Sequence, residues 1–565
     1  MSIHNKTTMK KILFFLLLFA FPFVQSCDLE EEIFDEALNA SLLESKTAAE
    51  GVLAPVYSRM IDLFNDHNGY FMLQENSTDE CIVPFRGGTD WFNGGVLIEI
   101  HRHTWTSSLS NTQNTWNQLT QGVARALVAQ KTLASLNSPN SALYIAESRA
   151  MAAFYNSLLL DLFNVVFVKS PDDIPTTGGV GKESTVLKDG AAFDYLIAEL
   201  DAAEGALQTK KEVGQGRMTK GAIWALKARL YLNRAVYLNR YVKGPQFAPA
   251  DMDKVIENAD KVINSGIYDL EKADYFKIFD LDNSAHPEII FALKQIQDNN
   301  NGGRFTWFSL ARNHFFSLTN RGSTGTDGGS ITPEFWNTWA DNKTDPRFYK
   351  EVVKQDGSVT SVPTARWGLN RGLLQGQQYG IVLATGGADF KRTTNGDLAI
   401  EALRNTFRTG EMVNFTVAVD LETNTGHSQG VRVSKYAVDP LSTQGRNINR
   451  LDIPILRMGD IYLMRAEAKL RKGDAAGALA DVNAVRTARK HPVLLTQAEM
   501  TLNNLFRERG FELYWEMQRR TDMIRFGKYE DTWTSKSDNN PNRRTFLIPQ
   551  VALDANPGFL QQNPQ

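Results

Sequence analysis

Two aromatic-bearing stretches are where this chain could grip a ligand. The first is Phe85-Arg-Gly-Gly-Thr-Asp-Trp-Phe-Asn-Gly-Gly95. Four glycines in nine residues hold no regular helix or strand, so the backbone is free to expose what lies between them, namely Asp90, Trp91 and Phe92. The second is Asn299-Asn-Asn-Gly-Gly303, followed by Phe305, Trp307 and Phe308. Flat rings beside polar groups on irregular backbone suit a sugar, which offers an apolar face and a rim of hydroxyls. Trp91 and Trp307 are the leading stacking candidates, Phe85 and Phe308 the reserves, and Asp90 and Arg86 the hydroxyl partners. Trp367 and Tyr379 stand behind them as a further aromatic pair. The competing reading for each ring is a plug that fastens its loop to the core.

Catalysis has weaker support. A glycosidase needs two carboxylates held at a set separation, and no stretch marks such a pair. Asp460, Glu467, Glu508 and Glu512 fall on apolar helices, where pairing with Arg457, Arg507 or Arg519 is the simpler role. There is no Gly-x-Ser-x-Gly elbow, phosphate loop or dinucleotide fingerprint. His101-x-His103 would put two imidazoles on one face of a strand, but no further ligand lies near in sequence. No metal or cofactor is expected.

The elements that must position these residues are mostly helical. Around Ile455–Leu470, Leu456, Gly459, Leu463, Ala466 and Leu470 form one stripe and Ile461, Met464 and Ala468 another. A helix apolar on two sides is sandwiched between neighbours, and Arg457 lies three residues from Asp460. Gly473-Asp474 supplies a stop and an N-cap before a partner helix carrying Ala478, Val482 and Val485. Helices are also expected over 47–65, 114–136, 149–163, 218–237 and 251–264. They read as hairpins of the tetratricopeptide type without a clean repeat period. From about 298 to 450 the texture turns to Gly-rich loops, with a short helix at 332–340 and a strand at 431–437.

Three ordered blocks carry a family resemblance. They are Arg457-x-Gly-Asp-x-Tyr-Leu-Met-x-Ala-Glu-Ala468, Arg507-Glu-Arg-Gly-Phe-Glu-Leu-Tyr-Trp-Glu516 leading into Arg519–Gly527, and the ending Phe546-Leu-Ile-Pro-Gln550 with Gln562-Asn-Pro564. Together they resemble the SusD/RagB family of nutrient-binding lipoproteins. The resemblance implies a mainly α fold, a tetratricopeptide-like helical-hairpin scaffold with a long loop-rich region. It implies a glycan ligand and a SusC-like TonB-dependent transporter as partner. Starch binders of the family carry a stacking aromatic after a Thr-Asp-Glu-Cys run, which here is Thr78–Cys81 followed by Phe85 or a near neighbour. Trp307 and Phe308 lie near the family's second such position. The third has no match in residues 325–331, which points away from starch itself.

The N-terminus reads as an anchor. Lys10-Lys11, an apolar run from Ile12 to Val24 and Ser26-Cys27 describe a lipoprotein signal peptide over 1–26, with Cys27 lipidated. The run is short for a membrane span. Asp28 and Glu30 to Glu32 resemble a surface-export signal. The remainder divides into 27–300, with the hairpins, and 301–565, which includes the loop-rich part 301–450. A net charge of -3 gives no footprint for nucleic acid. With Cys27 acylated, Cys81 is left without a disulfide partner. The expectation is a non-enzymatic, outer-membrane, outward-facing binder that passes oligosaccharide to its transporter. The alternatives are a secreted glycoside hydrolase and a helical-repeat adaptor.

Overall fold

The computed structural model describes residues 46–86, 91–136, 139–174, 182–295, 303–318, 321, 323–406, 410–422, 426–441 and 450–565. The leader, Cys27 and the acidic run after it lie outside these residues.

The nine longest described helices are α1 (Lys46–Phe64), α2 (Ser110–Ser135), α3 (Ser141–Phe163), α4 (Asp189–Glu204), α5 (Lys220–Leu238), α6 (Pro249–Ile263), α7 (Met458–Arg471), α8 (Ala475–Ala488) and α9 (Leu502–Leu513). They pack as antiparallel neighbours, α2 on α3, α5 on α6 and α7 on α8, as expected for hairpins. Small residues set the approach. A Cβ at Gly122 would strike the Tyr155 ring at 2.7 Å, so α2 and α3 can touch only because that position is bare. One apolar core runs from Val56 of α1 to Leu560 near the C-terminus, across both halves of the chain.

α7 is buried on two sides, through Met458, Ile461, Leu463, Met464, Ala466 and Ala468. Gly473, at φ 87°, ends it, and Asp474 caps α8 by accepting from the Gly477 amide at 2.8 Å. The sequence stripe is corrected at its start. Leu456 and Arg457 belong to strand β2 (Ile453–Arg457), which pairs antiparallel with β1 (Ile289–Leu293). Arg457 therefore stands outside the helix, and the expected i,i+3 pair with Asp460 does not form. Arg457 instead reaches Glu288 at 2.9 Å, Glu512 at 2.6 Å and Glu516 at 2.6 Å, while Asp460 pairs with Arg229 and Arg509. A Cβ on Gly459 would lie 2.4 Å from both Arg457 and Glu512, so this glycine clears the space the charges occupy.

The loop-rich part holds short strands and a small core of its own around Leu310, Phe315, Trp367, Leu374, Leu398 and Phe415. Trp367, named above as a fallback ring, is buried there against Phe315 at 6.0 Å. His101 and His103 sit at the end of a helix over Val96–Arg102 rather than on a strand. Both are buried with ring nitrogens on backbone carbonyls, His101 at Asn76, Cys81 and Thr534 and His103 at Ser77.

Candidate functional site

The Gly-framed loop is pinned at its start. Ile82 exchanges two 2.9 Å backbone hydrogen bonds with Ser330. Arg86, 0 % exposed, donates to the carbonyls of Gly328, Gly426 and Gln429 and to the Ser330 hydroxyl. Its guanidinium thus sews two loops together and does not reach a ligand, which corrects its expected role as a hydroxyl partner. Asp90 lies outside the described residues. Phe85 is half-buried and meets the 42 % exposed Phe92 edge to face at 5.6 Å.

Trp91 takes a left-handed backbone (φ 61°), followed by Asn93 (48°), Gly94 (67°) and Gly95 (87°). That conformation disfavours a bulky residue by about 1–2 kcal/mol. It is held by the indole N–H, which donates to the Thr326 carbonyl at 2.6 Å. The result aims Trp91 at a second ring-bearing element, the short helix Phe305–Ser309. Within it Phe305 and Phe308 turn into the core and Trp307 stays half-exposed. Phe308 is corrected from reserve platform to floor. It is 0 % exposed, Gly328 and Gly329 lie flat on its ring, and His67 stacks on it at 4.3 Å and 8°.

His67 is the residue that joins the two loops. Its ring lies 5.5 Å from Trp91 and 6.0 Å from Trp307. Its Nδ1 is 2.5 Å from Asp66, whose other oxygen accepts from Arg304 at 2.8 Å, and the Arg304 guanidinium lies 5.6 Å from the Trp307 ring centroid. Burial pushes the Asp66 carboxyl up, but the imidazole and the guanidinium outweigh it and hold Asp66 well below the usual carboxylate range. Trp91 and Trp307, the two leading candidates, thus both lie against His67. Asp66, His67 and Arg304 were missed. The signal available was Asp66-His-Asn-Gly69, a polar turn directly after an apolar helix.

Beside the rings opens a cavity of about 570 Å³, within the usual range for ligand pockets. Asp66, which contacts His67, and Arg304, which lies over the Trp307 ring, line it together with Asn68, Asn114, Thr115 and Gln118. Amides, a hydroxyl and an ion pair make a lining suited to a hydroxyl-rich molecule.

The acidic residues weighed for catalysis are buried and paired. Glu512 meets Arg347, Arg457 and Arg489, Glu467 meets Arg525 and Arg471, and Glu508 meets Arg347 and Arg486. Glu75 and Glu80, on the buried segment that follows Phe71, form a different kind of pair. Burial pushes both carboxyls up, Glu80 to about 7, and the Glu80 charge raises Glu75 further.

Comparison with known proteins fits this architecture. A sequence model of the SusD family matches residues 280–549. Over that stretch, just under half of its length, the chain is similar to the SusD/RagB family. It is 26 % identical over 478 residues to the starch-binding protein SusD of Bacteroides thetaiotaomicron, covering 81 % of this chain and 77 % of that one. The fold matches a SusD superfamily protein from Parabacteroides distasonis with a TM-score of 0.65 at 17 % identity, over 92 % of this chain and 98 % of the other. Surface glycan-binding protein A from Bacteroides uniformis matches with a TM-score of 0.63 at 17 % identity, over 92 % and 99 %.

Proposed function

We propose that the protein is a lipid-anchored glycan-binding protein of the outer cell surface, which captures oligosaccharide or polysaccharide and passes it to a SusC-like TonB-dependent transporter. One observation carries the binding half of this reading. Trp91 and Trp307, more than two hundred positions apart in sequence, converge on His67 beside a polar cavity. The relatives' names as starch-binding and surface glycan-binding proteins support the same ligand class. The anchor rests on Cys27 and its leader, and none of the described helices is long and apolar enough to cross a membrane.

The role is binding rather than hydrolysis, because the acids weighed for catalysis sit in buried ion pairs with arginines. A glycan array probed with the purified protein tests the reading. Retention of at least one oligosaccharide series without its turnover is expected. Steady release of reducing ends would contradict it, as would an array with no signal. For the anchor, Cys27→Ala should move the protein from the membrane fraction to the soluble one.

A further inference from the structure

The cavity beside the tryptophans carries two donors that the protein leaves unanswered. Thr115 is 1 % exposed, and its hydroxyl has no hydrogen-bond partner among the described residues. The same holds for the buried Nε of Arg304. Buried polar groups are as a rule hydrogen-bonded, so donors on a cavity wall call for an acceptor supplied from within it. Gly69 (φ 65°) packs beside this hydroxyl, and a Cβ there would stand 3.2 Å from its oxygen. The rim adds the side chains of Asn68 and Asn114, both exposed.

Charge then narrows the ligand. Arg304, the cation on the described wall, is engaged by Asp66 at 2.8 Å, and Asp62 is engaged by Arg59 at 3.0 Å. A uronic acid or sulfate ester entering here would meet two carboxylates and no unpaired cation. Amides and hydroxyls, by contrast, donate and accept equally well toward neutral sugar hydroxyls.

We propose that this cavity is a subsite for neutral, hydroxyl-rich units of the glycan whose other units stack on Trp91 and Trp307, with Asp66 excluding anionic glycans. This rests on the glycan-binding reading above. Arg304 makes the two parts one site, because it lies over the Trp307 ring and also walls the cavity.

Titration calorimetry with neutral hexasaccharides (malto-, laminari-, xylo- and manno-series) and with alginate and pectic hexasaccharides tests this. The parent protein should bind at least one neutral series and neither uronate series. Thr115→Val, which keeps the shape and removes the hydroxyl, should weaken that binding about three- to tenfold at unchanged Tm, and Asn114→Ala on the exposed rim by a smaller factor. Asp66→Asn should open the site to the uronate chains by freeing Arg304. Parent binding to uronates as tight as to neutral chains would overturn the proposal. So would full affinity in Thr115→Val and Asn114→Ala while Trp307→Ala loses binding, a result that leaves the platform standing and removes only the subsite. No binding by any hexasaccharide would overturn both this proposal and the function it rests on.

Discussion

Two regions of the molecule use the same polar and aromatic residue types for opposite ends. In the hub around β2 and α7, Arg347, Arg457 and Arg489 converge on Glu512, and Glu288, Glu516 and Asp345 complete the set. Every member is buried, and the charges answer one another. Around His67, one ion pair and three aromatic residues leave two rings partly buried near a polar cavity. Burying charge is costly unless geometry and hydrogen bonds compensate, so the hub is committed to holding strands and helices in one arrangement. The rings of Trp91 and Trp307 at His67 are only partly buried, and on the proposed reading their open area meets a ligand. The difference separates structure from function more sharply than residue type does.

The comparison breaks most readily at the hub. Arg457→Ala leaves Glu288 and Glu512 with Arg489, and Glu516 with Lys435, one buried cation short, and should cost about 3–5 kcal/mol. A urea midpoint equal to the parent's would show that the network is not structural. Leu463→Ala, on the buried side of α7, should cost about 2–5 kcal/mol without touching any charge. A value near zero would mean that the helix is not sandwiched.

Acid and alkali sharpen the same contrast. Burial opposes ionisation of Asp460 and Glu467, yet their arginines pull both down to about 2. Their folded values are depressed, so their stabilisation is present above the ordinary carboxylate range and is lost as pH falls through about 2. Glu75 and Glu80 behave in reverse. Their folded values are raised, so their contribution is full below the ordinary glutamate value and is lost as pH rises, for Glu80 through about 7. Arg519 and Asp79 face this pair, with the Trp515 amide donating to Glu80 and Cys81 buried beside them. Glu75→Gln should therefore flatten the fall in Tm between pH 5 and pH 8. An unchanged slope would show that this buried pair does not set the pH dependence.

Much of the hub was legible from one sequence, because a two-sided apolar helix, a Gly-Asp stop and a bare Gly459 are local signals. The partners of Arg457 were not. Local spacing offered Asp460, while the real partners are Glu288 just before β1, Glu512 in α9 and Glu516 just after it, and no periodicity encodes such distant meetings. The site divides in the same way. The tryptophans stand out as candidates by their glycine-rich setting, whereas Arg86 reads as a rim residue in sequence but donates to three backbone carbonyls and Ser330. His67 was hidden because a histidine after a helix carries no sign of the two loops that fold over it.

The central claim is that the rings at His67 serve a ligand and not the fold. It is tested most directly by titrating Trp91→Ala and Trp307→Ala with the tightest-binding neutral oligosaccharide and recording Tm on the same samples. Each truncation removes a half-exposed ring, so affinity should fall at least about tenfold while Tm stays within about two degrees of the parent. Undiminished affinity in both variants, or loss of binding only where the protein has also unfolded, would contradict the account.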